Sequence, residues 1–171
     1  SARRSSIRFW EAPPRRQSDV PSPNDFRLQH GTVVDHLPVG TGARGSQPVA
    51  QFSAQLRWLR EHRADFSVAT GPLEAAPSGQ TPVLITFDDG YLDNWEIARP
   101  LLDEFGFKAH FFVTTGFIDG DRRITEGFRN YRGLQPMNWD HVGALSEQGH
   151  VIGLHGDRHL NFHRLSRAEA V

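Results

Sequence analysis

The stretch Val83-Leu-Ile-Thr-Phe-Asp-Asp-Gly-Tyr-Leu-Asp-Asn94 decides how the rest of the chain is read. Val83 to Phe87 is a run of apolar and β-branched residues, which suits a strand buried on both faces in a parallel sheet flanked by helices. Asp88 and Asp89 follow where the run ends, and Gly90 allows the backbone to turn sharply there. Both acids are therefore expected at the carboxyl end of a strand, which is where α/β folds build their active sites. A solvated Asp-Asp-Gly turn is the plain alternative, and the pair alone does not choose between the two.

Downstream, Trp95, Ala98, Leu102 and Phe105 fall along one face of a helix from Asn94 to Phe105, with Gly106 as its stop and Pro100 as an expected kink. Ala109 to Val113 is a second strand, so the order is strand, helix, strand, as in a parallel sheet. Thr114 to Pro136 is a long polar segment, read as a loop on the side of the acid pair and a candidate wall of a cleft. Asn138 is a candidate N-cap for a helix through Trp139, Val142 and Leu145 that closes at Gly149, and His150 to Leu154 is the next strand.

At the end of that strand stands His155-Gly-Asp-Arg-His159, with His163 four residues on. Two His at this spacing point the same way on a helical turn and offer two imidazole nitrogens to one metal. The Glu of the zincin pattern HExxH is absent. Asp88/Asp89 and His155/His159 both follow apolar strands, so they are expected to meet at one rim of the sheet. One carboxylate with two His and open positions is a hydrolytic metal site in outline.

Upstream, Phe26 to Val34 reads as a first strand ending near His36, and Gly40 to Gly45 as a loop. Phe52, Leu56 and Leu59 have helical spacing in a helix that ends near His62. Phe66 to Ala69 is a weak strand, and Pro72 to Pro82 a loop. Residues 1–25 carry five Arg and four Pro and read as a poorly ordered basic lead-in to a domain over residues 26–171.

Composition narrows the chemistry. A chain of 171 residues makes one domain with a real core or part of a barrel of about 250 residues. The net charge of −1 gives no electrostatic case for nucleic acid or an anionic membrane surface. There are no cysteines, so any metal must be held by carboxylates and some of the nine His. No apolar run approaches membrane-spanning length, and the N-terminus shows no signal-peptide core. The chain starts at Ser1, which leaves a removed targeting segment open.

Thr86-Phe-Asp-Asp-Gly90 resembles the first motif of the polysaccharide deacetylases, the NodB-homology carbohydrate esterases, and His155 to His159 resembles their second, usually His-Ser/Thr-x-x-His. Phe107 to Val113 and Trp139 to Gly153 are similar to the intervening strand, helix and strand, and the likeness covers roughly residues 52–170. The resemblance implies an α/β fold, a distorted (β/α) barrel of which this chain holds the N-terminal part. It implies metal-dependent removal of N-acetyl groups from an amino-sugar polymer of the chitin, peptidoglycan or poly-N-acetylglucosamine type. It makes Asp88 the general base and Asp89, His155 and His159 the ligands of one divalent ion, most often zinc, and it is compatible with a cell-envelope or secreted protein.

Gly156 departs from the usual Ser/Thr and removes a hydroxyl that would brace the loop. Leu160 stands where Pro is common, and His110 replaces a Thr. His110 and His163 are expected to be packed or surface residues rather than ligands. The family's later motifs, with an Arg orienting the base and a His acting as general acid, are expected beyond Val171, and Ser166 to Glu169 reads as a capping box opening a helix. A hydrolase of small cyclic or linear amides and a non-catalytic sugar-binding protein remain alternatives.

Overall fold

The computed structural model describes residues 32–36, 48–68, 77, 79–127, 131–160 and 166. The basic lead-in, the loop from Gly40 to Gly45, His163 and most of the Ser166 capping box lie outside these residues, as do the first six positions of the expected first strand.

The central strand, β3, runs Thr81–Asp89. One of its edges takes β1, Thr32–His36, in parallel register from Thr32↔Val83 to His36↔Phe87. The other takes β4, His110–Val113, from Thr86↔His110 to Asp89↔Val113. β5, Val151–Leu154, then pairs with β4 from His110↔Val151 to Val113↔Leu154. The short β2, Phe66–Val68, pairs with the first residues of β3. All pairs are parallel and the main order is β1-β3-β4-β5, an open α/β sheet rather than a closed barrel. β3 begins at Thr81, two residues before the apolar run, because β2 pairs there. Pro82, expected in a loop, is tolerated within the strand opposite Ser67, in a partner of only three residues.

Val83, Ile85 and Phe87 are completely buried, whereas Leu84 and Asp88 are only half-buried. Burial on both faces, expected from the unbroken run, is therefore complete on one face alone. That face is covered by α1, Val49–Glu61, through Phe52, Leu56 and Leu59. The Phe52 ring meets Phe87 edge-on at 5.9 Å, and Phe87 stacks on Phe111 at 4.8 Å. Each such side chain contributes about 1.5–3 kcal/mol by leaving water.

Between β3 and β4 the chain makes a π-helical turn, Asn94–Ala98, that continues into α2, Arg99–Phe105. Pro100 lacks an N–H and its ring would press on the carbonyl four residues back. The strain expected to kink the helix takes the form of this wider turn, in which Arg99 N–H donates to the Asn94 carbonyl. Gly106, at φ 73°, ends α2 in the left-handed region.

The segment from Thr114 to Pro136 is not a plain loop. It contains two short helices, α3 at Thr115–Ile118 and α4 at Arg122–Thr125. With Tyr91 and Tyr131, Phe117 and Ile124 form a second apolar cluster. α5, Trp139–Glu147, begins as expected at Asn138, whose side chain accepts from His141 N–H at 2.8 Å while His141 Nδ1 accepts from Asn138 N–H. No helix among the described residues is long and apolar enough to cross a membrane.

Candidate metal centre

Register brings the candidate residues together. Asp89, Val113 and Leu154 lie in one row across β3, β4 and β5, so Thr114 and His155, one residue further along, flank that row. The ladder continues past the strand ends, with Thr114 N–H donating to the Asp89 carbonyl at 3.1 Å and His155 N–H to the Val113 carbonyl at 2.8 Å. Asp89 and Gly90 adopt successive left-handed conformations, φ 74° and 87°. A Cβ at Gly90 would lie 2.8 Å from Ile118 Cδ1, the far end of a side chain that can shift, so it is the left-handed φ that calls for glycine there.

Asp89 Oδ1 lies 3.7 Å from His155 Nε2 and 3.5 Å from His159 Nε2. The three residues offer ligand atoms that all fall within 4.8 Å of one another. For ligand bonds of about 2.0–2.2 Å, tetrahedral geometry separates neighbouring donor atoms by about 3.3–3.6 Å. The donors suit a divalent ion in chemistry, and the two carboxylate–imidazole separations are close to that spacing. Asp88 lies outside this cluster and is half-buried, but its charge acts on Tyr131.

The two His do not share a helical turn, as their spacing suggested: residues 155–160 contain no helix. Gly156 at φ 84° breaks the helical path, and His159 itself sits at φ 49°. The brace expected to be lost with the hydroxyl at position 156 comes from α3 instead. Thr115 N–H donates to the Gly156 carbonyl at 3.1 Å, Gly116 N–H to the Asp157 carbonyl at 2.9 Å, and Thr115 Oγ1 to Asp157 Oδ1 at 2.9 Å.

Three neighbours of Asp89 escaped the sequence reading. Tyr131 Oη donates to Oδ1 at 2.6 Å, Tyr91 Oη to Oδ2 at 3.0 Å, and Thr114 Oγ1 to Oδ1 at 3.4 Å. Burial, and then the Asp89 carboxylate, push both phenols far above their ordinary pKa, so they remain protonated donors. The chain has only two tyrosines, and both serve this carboxylate. Tyr91 directly follows the Asp-Asp-Gly turn, whereas Tyr131 is one of three large aromatics, with Phe117 and Phe128, in a polar segment and carries no further signal.

His110 is buried within β4 and does not join the cluster; burial lowers its pKa.

A parallel α/β sheet with an Asp-His-His cluster at its carboxyl rim is the kind of scaffold on which barrel hydrolases assemble their sites. Residues 75–171, more than half of the chain, match the polysaccharide deacetylase family profile, and the chain belongs to that family. It is 38% identical over 102 residues to YxkH of Bacillus subtilis (strain 168), whose name places it among polysaccharide deacetylases; the match covers 55% of this chain and 35% of that protein. It is 27% identical over 128 residues to the poly-β-1,6-N-acetyl-D-glucosamine N-deacetylase of Staphylococcus aureus (strain MSSA476), covering 70% and 41%. The solved structure of IcaB from Ammonifex degensii superposes with a TM-score of 0.57 at 25% identity, covering 74% of this chain and 52% of that one. The chain thus spans well under two thirds of each relative, and the sheet is the expected incomplete part of a (β/α) barrel.

Proposed function

We propose that this chain carries the metal centre of a hydrolase that removes N-acetyl groups from an amino-sugar polysaccharide, with poly-N-acetylglucosamine the first substrate to test. The observation that carries this reading is the approach of His155 and His159 to one oxygen of Asp89, at 3.7 and 3.5 Å. Family membership supports the reaction class, and the Staphylococcus aureus relative supports the choice of polymer.

In this reading Asp89, His155 and His159 hold one divalent ion, with zinc expected from one carboxylate and two imidazoles. When bound, such an ion polarises the acetamide carbonyl and makes water a stronger acid. Asp88 is the general base: it accepts a proton as water attacks the carbonyl carbon. The departing nitrogen takes up the proton that Asp88 accepted as the carbon–nitrogen bond breaks, which releases acetate and the amine and restores the Asp88 carboxylate.

The test is metal analysis of the purified protein together with acetate release from N-acetylglucosamine oligomers by the intact protein. Asp89→Asn, His155→Ala and His159→Ala are each expected to lose most of the metal, and His163→Ala to keep it. Asp88→Asn is expected to keep the metal and lose about 10²–10⁴-fold in rate. Wild-type protein without metal, or equal loss in all four ligand and control variants, would sink the assignment. Activity on small amides only, or glycan binding without metal, would favour one of the alternatives.

A further inference from the structure

We propose that Tyr131 and Tyr91 are positioning residues that present Asp89 to the ion through Oδ1 alone. The inference rests on the proposed metal centre and goes beyond it by assigning the two phenols and the segment that delivers one of them.

Both His Nε2 atoms meet Asp89 at Oδ1, at 3.7 and 3.5 Å. A carboxylate oxygen has two acceptor directions. On Oδ1 Tyr131 donates at 2.6 Å and Thr114 Oγ1 at 3.4 Å, the weaker bond being the one an ion would replace, while Tyr91 holds Oδ2 at 3.0 Å. The carboxylate is thereby fixed against rotation and against gripping the ion with both oxygens.

The phenols are themselves held by packing. Tyr131 is fully buried, with its ring 4.5 Å from Phe117 and 5.8 Å from Tyr91. The chain around it is sewn to the turn after the acid pair: Leu92 N–H donates to the Gln135 carbonyl at 2.8 Å and Met137 N–H to the Gly90 carbonyl at 2.9 Å. The second apolar cluster thus serves as a mount for two hydroxyls, and the polar segment after β4 is tied to the ligand set. Partners of this kind orient metal ligands and tune their affinity.

The test uses purified protein with zinc or cobalt(II) alone as the probe. Tyr131→Phe keeps the ring in its cluster and removes one hydroxyl; zinc affinity is expected to fall roughly 10–100-fold. Tyr91→Phe frees Oδ2, and the visible absorption of the cobalt(II) protein is expected to weaken as the coordination number rises. Thermal unfolding of the metal-free variants reads out any purely structural role. If wild type binds zinc and Tyr131→Phe binds it equally well, the positioning role is overturned while the metal centre stands. An unfolding temperature that falls with zinc affinity unchanged has the same meaning. Should Tyr131→Phe not fold, an unaltered cobalt spectrum in Tyr91→Phe overturns the proposal. A wild type that binds no metal overturns both readings together.

Discussion

His150 makes the fold acid-sensitive from within. It is 4% exposed and accepts a hydrogen bond at Nδ1 from Ala109 N–H at 3.1 Å, with its ring edge-on to Phe111 at 5.3 Å. Protonation would add a charge in that setting and turn the accepting nitrogen into a second donor facing Ala109 N–H. Burial, and then the charge of Lys108, lower its pKa from 6.5 to about 4. The group is depressed on folding and neutral when folded, so the unfolded chain binds its proton first as the pH falls. The stability contributed by the neutral ring is fully present above 6.5 and is lost between there and about pH 4. Between about pH 8 and pH 5 the two pKa values give a loss of about 2 kcal/mol. His150→Asn provides the comparison, since an amide oxygen can take the Ala109 N–H without titrating. Urea unfolding of both proteins with a chelator present, at the two pH values, cancels the groups they share, His110 included. The wild type is expected to lose about 2 kcal/mol more than the variant. Equal losses in the two proteins would refute the assignment of this acid sensitivity to His150.

Two further outcomes follow from the turn and the loop that frame the cluster. Gly90→Ala is expected to destabilise the protein by about 1–2 kcal/mol in urea unfolding, from left-handed backbone strain; a loss under about 0.5 kcal/mol would mean that the turn relaxes freely. Thr115→Val removes the hydroxyl bond to Asp157, so amide hydrogen exchange over residues 155–160 is expected to quicken about two- to fivefold, with Thr115→Ser restoring the wild-type rate.

What was legible in the sequence was what is encoded locally. The cap at Asn138, the stop at Gly106 and the apolar spacing of Phe52, Leu56 and Leu59 each depend on a few neighbouring residues, and the structure places them as read. Boundaries that depend on a partner strand were not legible. Thr81 and Pro82 are strand only because β2 lies beside them, and no local pattern announces that. The segment after β4 has the sequence of a loop because its two short helices are each only four residues long, too brief to show a period. The candidate site residues are legible in pairs, Asp88 with Asp89 and His155 with His159, and strand order supplies their meeting. Tyr131 was not, since it lies 42 residues from the carboxylate it bonds and reaches it through packing of a segment that looks solvent-facing.

The acid pair shows how one turn can supply two different carboxylates. Along a regular strand, neighbouring side chains face opposite ways, so adjacent acids at a strand end do not begin in one environment. The left-handed backbone at Asp89 and Gly90 breaks that alternation and sets Asp89 beneath Tyr91 and Tyr131, buried, with protonated donors on both oxygens. Asp88, half-buried one residue earlier, stands outside the cluster of candidate ligands. A metal ligand must be ionised and fixed, whereas a general base must be able to gain and release a proton during turnover. The environments follow that division, which supports the proposal that Asp89 holds the ion and Asp88 takes the proton rather than the reverse.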